Sequence, residues 1–141
     1  MQVIRTFFVE DRLGLLDPVV GLLENQSWIK NIGYSLTYPP PMKERILRRA
    51  DLILMDWEDP AMTGLRALIV IKSLPKPPRV IVLSGHDHPH FCAAVKAAGA
   101  DGVLLRSKFH CSLLPLIREL FPGYQCCNHT AFIPTNGEDV S

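Results

Sequence analysis

Five short apolar runs, Val3–Val9, Ile32–Leu36, Leu52–Met55, Val80–Leu83 and Val103–Leu105, alternate with segments of helical spacing. The third, fourth and fifth are almost unbroken in Leu, Ile, Val and Met, the pattern of strands buried on both faces of a parallel sheet. The second carries more polar residues and suits an edge strand. Strand and helix in regular alternation imply a doubly wound α/β sheet with right-handed crossovers.

The helix signals between the runs are local. Asp17-Pro18 is an N-cap and first-turn pair, followed by Val19, Val20, Leu22 and Leu23 at helical spacing. Pro39-Pro40-Pro41 opens a short second helix, with Met42, Ile46 and Leu47 inward and Lys43, Arg45, Arg48 and Arg49 on a solvated face. Gly64–Leu74 reads as a third helix, closed by Pro75 and Pro77-Pro78. His90–Ala98 reads as a fourth, capped by Gly99. Ser112–Leu120 reads as a fifth, stopped by Pro122-Gly123. Residues 1–121 form one domain on this reading. Residues 122–141 are a C-terminal tail or the start of a linker.

The 141 residues suffice for one ordinary domain, and at 48% hydrophobic they can build a core. A formal net charge of +1 gives no global drive toward nucleic acid or membrane. The first apolar run is too short for a secretory signal or a membrane span. A cytoplasmic location is therefore the default. Cys92, Cys111, Cys126 and Cys127 form no regular disulfide or CxxC framework and read as free thiols. A zinc site from Cys126, Cys127 and His129 is disfavoured. So is a metal site in His86-Asp87-His88-Pro89-His90, which reads as a solvated helix entry.

In open parallel sheets, ligands bind beyond the carboxyl ends of the strands. Glu10 and Asp11 follow the first run, Asp56 the third, Ser84 and Gly85 the fourth, and Arg106 the fifth. Singly, each is an ordinary turn or cap residue. Together they bring carboxylates, a hydroxyl and a cation to one rim. That set suits a hard divalent cation and a phosphoryl group.

These segments resemble the receiver domains of bacterial two-component response regulators, over Val3 to Leu120. The resemblance rests on Val9-Glu10-Asp11, on Ala50–Asp56 with Pro60, Met62 and Gly64 after it, on Val82-Leu83-Ser84-Gly85, and on Ala97–Ser107 with its Ala-Gly-Ala-Asp-Gly stretch. It implies a flavodoxin-like fold with a five-stranded parallel sheet and five helices. It implies that Asp56 accepts a phosphoryl group from a sensor histidine kinase or phosphotransfer protein. Glu10, Asp11 and Asp56, with the backbone carbonyl of Glu58, would hold Mg²⁺. The Ser84 hydroxyl would bond a phosphoryl oxygen. The chain is then a signalling module rather than an enzyme, contacting neither membrane nor, by itself, nucleic acid. A homodimer through the fourth- and fifth-helix face stays open.

Three residues depart from the family pattern. Arg106 stands where Lys is usual, and its planar fork differs from a compact ammonium. Lys108, two residues on, falls on Arg106's face by strand alternation but farther along, and would substitute only if the strand end were irregular. Val103 stands where Tyr or Phe usually reports the phosphorylated state. Glu58 puts a carboxylate two residues past the acceptor. Two alternatives follow: a degenerate receiver serving as a phosphorylation-independent interaction module, or the excised receiver of a DNA-binding regulator.

Overall fold

The central strands of this computed structural model are apolar on both sides because helices cover both sides. It describes residues 3–10, 14, 16–35, 48–56, 63–85 and 89–123. Strands β1 (Ile4–Glu10), β2 (Ile29–Ser35), β3 (Leu52–Asp56), β4 (Arg79–Ser84) and β5 (Gly102–Leu105) form one parallel sheet in the order β2-β1-β3-β4-β5. That order is the flavodoxin-like winding, with its reversal between β1 and β3. Among the described residues the α-helices are α1 (Asp17–Glu24), α2 (Thr63–Lys72), α3 (Pro89–Ala97) and α4 (Phe109–Leu120). The helix expected after Pro39-Pro40-Pro41 lies almost wholly outside the described residues. Arg48 and Arg49 at its end are helical and exposed. Asp11, Glu58, Pro60, Met62, His86–His88 and residues 124–141 also lie outside them.

Side chains alternate across a strand, and here the alternation divides the core in two. Ile4, Phe8, Leu52, Leu54, Ile81 and Leu83 face α1 and α4, against Val19, Leu23, Leu113 and Ile117. Phe7, Val9, Ile53, Met55, Val80 and Val82 face α2 and α3, against Leu68, Ile71 and Val95. Both layers rest on β3, whose five residues are all buried.

The elements depart from the sequence pattern at their ends. Leu16, not Asp17, is the capping position of α1, and Asp17-Pro18 forms its first turn. β2 begins at Ile29, three residues before its apolar run, because Ile4 and Arg5 pair with Ile29 and Lys30 despite the polar side chains there. Gly33, at φ +144°, sits just past the irregularity in that register, a backbone angle that favours glycine. The last helix starts at Phe109, because the chain leaves β5 through a 3₁₀ turn, Arg106–Lys108, that runs straight into it. Gly99, at φ +111°, takes the left-handed position after α3 as expected.

Candidate functional site

The polar residues of the rim are the last residues of their strands. Glu10 ends β1, Asp56 ends β3 and Ser84 ends β4; in the register Glu10 is paired with Asp56. All three are buried: Glu10 is 5% exposed, Asp56 0% and Ser84 2%. A buried ionisable or hydroxyl group needs a partner to offset lost hydration.

Glu10 finds one in α1. Its Oε1 accepts the backbone N–H of Leu16 at 3.0 Å. The carboxylate thus lies at the positive end of that helix, where negative charge is favoured. No motif marks Leu16 for this part, since a backbone N–H leaves no trace in a side-chain pattern.

Asp56 finds its partner on β5's far side. Arg106 Nε donates to Asp56 Oδ2 at 2.6 Å, and Arg106 Nη2 donates to Oδ1 at 2.6 Å. Both carboxylate oxygens are therefore held by one guanidinium in a parallel, two-bond fork. The Arg106 side chain is 21% exposed and that of Asp56 is wholly buried. Residues 52, 54 and 56 of β3 and 102 and 104 of β5 share the face toward α1 and α4, and Arg106 opens the 3₁₀ turn that follows β5. Because β4 lies between β3 and β5, the arginine crosses the end of β4, about 9–10 Å of sheet.

Ser84 has the parity of Val80 and Val82, which belong to the other layer. In the register Val82 is paired with Val103, which packs into that same layer beside α2 and α3. The hydroxyl thus stands at the head of the column that contains the switch position. Strand alternation ends at Leu105, and within the 3₁₀ turn Lys108 is exposed.

Carboxylate oxygens at adjacent strand ends are the donor chemistry that a hard cation such as Mg²⁺ takes. Glu10 and Asp56 offer it. Among the described residues no group of three His, Cys, Asp or Glu could hold a metal ion. Asp11, the third expected carboxylate, lies outside them. The Arg106 guanidinium brings positive charge to Asp56.

Similarity to known proteins bears on the family and the fold. The family model of the response regulator receiver domain matches residues 7–110. Mycobacterium tuberculosis "Probable transcriptional regulatory protein NarL" is 27% identical over 73 residues, 52% of this chain and 34% of that protein. The match spans about a third of the length of that relative. The signal receiver domain of M. tuberculosis NarL superposes with a TM-score of 0.74 at 22% identity, covering 87% of this chain and 99% of the domain. The response regulator domain of Thermotoga maritima CheB gives a TM-score of 0.69 at 21% identity, covering 87% and 97%. Salmonella enterica RcsB, bound to the promoter rprA with phosphomimetic BeF₃⁻, gives 0.72 at 18%, covering 86% and 61%. At these identities the superpositions speak for the fold alone. The family match covers most of the chain and includes Glu10, Asp56, Ser84 and Arg106, so this chain belongs to the response regulator receiver domain family.

Proposed function

We propose that this chain receives a phosphoryl group on Asp56 from a sensor histidine kinase or phosphotransfer protein and signals by a change of conformation. The observation that carries the reading is a fully buried carboxylate at the carboxyl end of the central strand, in register with a second carboxylate. A buried acid costs stability even when a partner offsets part of it, and such groups cluster at functional sites. The family gives it the work.

In the transfer, an Asp56 oxygen forms a bond to phosphorus while the donor's P–N bond breaks. The departing imidazole keeps that electron pair and its nitrogen takes up a proton. Glu10, Asp11, Asp56 and the backbone carbonyl of Glu58 would hold Mg²⁺. When bound, the ion offsets charge on the phosphoryl oxygens. The Ser84 hydroxyl donates to one of those oxygens and so links the rim to the layer containing Val103. With Val there, no aromatic ring on β5 can turn inward, and the readout passes through packing of α2 and α3 instead. Arg106 supplies a fixed positive charge that pairs with acceptor or phosphate.

NarL and RcsB are a transcriptional regulator and a promoter-bound regulator by their names. A transcriptional output for this chain would need a DNA-binding partner or a further domain.

The fork on Asp56 favours one second reading, a receiver that acts as an interaction module without phosphorylation. Labelling from acetyl phosphate with Mg²⁺ separates the two. The wild-type protein should take up a hydroxylamine-sensitive label and Asp56→Asn should lose it. Undiminished labelling of Asp56→Asn would sink the assignment of the acceptor. An unlabelled wild type, under conditions that label another receiver, would favour the interaction module.

A further inference from the structure

We propose that the exposed side of α2 is a docking surface for an acidic amphipathic segment of a partner protein, one that presents carboxylates beside aliphatic side chains. The proposal stands apart from phosphoryl transfer and holds whether or not Asp56 is the acceptor.

The surface follows from helix geometry. α2 turns Ala67, Leu68 and Ile71 into the core, where all three are buried. The opposite stripe, at i, i+3, i+4 and i+7 spacing, is Arg66, Ile69, Val70 and Ser73. An amphipathic helix ordinarily keeps that stripe polar. Here Ile69 is 52% exposed and Val70 55%. Among the described residues the other large apolar side chain so exposed is Tyr34, on the edge strand β2. Scattered exposed apolar residues are ordinary. Two adjacent ones, with polar residues on either side along the stripe, have the layout of an interface core and its rim. The surface continues past the helix. The Ser73 N–H donates to the Ile69 carbonyl and the Leu74 N–H to that of Ile71, so the chain keeps turning. It then enters a depression of about 360 Å³ lined by Arg48, Leu74, Pro75 and Lys76.

Charge selects the partner. No Asp or Glu occurs between Thr63 and His86. Arg48, Arg49, Arg66 and Lys76 are all exposed. The half-buried carboxylates of the amino rim are already engaged, Asp51 by Arg5 and Asp101 by Lys72 and Arg79. Among the described residues the exposed carboxylates are Asp17, Glu24 and Glu119, on α1 and α4 across the sheet. An occupant of the α2 surface must therefore supply both halves of a contact: aliphatic side chains over Ile69, Val70 and Leu74, and carboxylates toward Arg66 and Lys76. A second copy supplies one half. Its acidic side, α1 and α4, exposes no large apolar side chain among the described residues, so Ile69 and Val70 would stay in water. A lipid surface is also a poor match. Interfacial helices bury a whole apolar face, and the apolar face of α2 is spent on the core.

The test is fluorescence anisotropy of the purified full chain with a dye-labelled helical peptide that carries Leu at i, i+3, i+4 and i+7 and Glu on its other side. Wild type should bind it, more weakly as salt screens the charges. Ile69→Ser with Val70→Ser should weaken binding at least about tenfold, through the loss of two buried aliphatic contacts. Both positions are more than half exposed, so the fold should tolerate the change. Arg66→Glu with Lys76→Glu should weaken binding about tenfold and abolish its fall with salt. Glu24→Gln, on α1, should match wild type. A wild type that does not bind, binding that neither pair of substitutions weakens, or equal binding of a peptide with Lys in place of Glu overturns the proposal. Two rival occupants leave other marks, and either overturns it as well. Tighter binding to phosphatidylglycerol vesicles than to the peptide, lost in the same variants, makes this a lipid-binding face. Concentration-dependent association in sedimentation, lost in Ile69→Ser with Val70→Ser, makes it a contact between copies.

Discussion

Asp56 touches no solvent, so the worth of Arg106 is set against an unpaired buried carboxylate and not against water. Removing one partner of a buried pair costs about 3–5 kcal/mol, because the other charge is left behind. Removing both is cheaper, since no orphan charge remains. Arg106→Gln should therefore lower the unfolding free energy by about 3–5 kcal/mol in Mg²⁺-free buffer. Adding Asp56→Asn should restore at least about 1 kcal/mol of that, a coupling of the size seen for contacting residues. Urea unfolding of the two single variants and the double variant gives the cycle. A double variant whose loss equals the sum of the two single losses would mean that the fork contributes no coupling.

At the scale of elements, Asp101 ties α2, β4 and β5 at the opposite rim. Its carboxylate accepts from Lys72 Nζ at 2.9 Å, from Arg79 Nη1 at 3.1 Å and from the Val80 backbone N–H at 2.8 Å. Partial burial pushes its pKa up, but Lys72, the Val80 N–H and Arg79 together outweigh that and hold it below the usual value. A carboxyl whose folded pKa is depressed stabilises the fold above its unfolded pKa and loses that contribution as pH falls through the folded value. Asp101→Asn should cost about 1.5–3 kcal/mol at neutral pH, the range for hydrogen bonds to a charged group. The gap between wild type and variant should narrow below about pH 4, where the unfolded carboxyl protonates. Denaturation of both proteins from pH 3 to pH 7 checks it; a constant gap would mean the charge is not what stabilises. Asp101 was visible in the sequence only as part of the Ala-Gly-Ala-Asp-Gly stretch. Its partners come from α2 and β4, far away in the chain. The same limit explains what else was and was not legible. β3 and β4 read directly, since a strand buried on both faces has no other pattern. The rim positions of Glu10, Asp56, Ser84 and Arg106 followed from where the apolar runs stop. The fork did not, because spacing places a side chain on a rim and says nothing of the rotamer that carries it across β4. The irregular strand end on which a role for Lys108 depended is a 3₁₀ turn, which an apolar run does not announce.

For the whole molecule, the two rims of the sheet divide the labour. At the amino ends of the strands, Arg5 pairs with Asp51 at 3.2 Å and Asp101 with Lys72 and Arg79; at the carboxyl ends, Asp56 pairs with Arg106. Asp51 and Asp56 bracket β3, five residues or about 16 Å apart at strand rise. Between them lie the two apolar layers, built on the two faces of the same strands. Sites that far apart without shared partners combine additively, to within about 0.5 kcal/mol. The Asp101→Asn and Arg106→Lys changes should therefore sum in the double variant's unfolding free energy. Asp101→Asn should leave both Mg²⁺ affinity and phosphate labelling at wild-type values, although it destabilises the chain. A stability change that also moved Mg²⁺ affinity would show that the amino rim is mechanically linked to the acceptor through β4 and β5. In that case the short β5, four residues long and without an aromatic at Val103, would be the element that carries the signal along its length instead of through a ring.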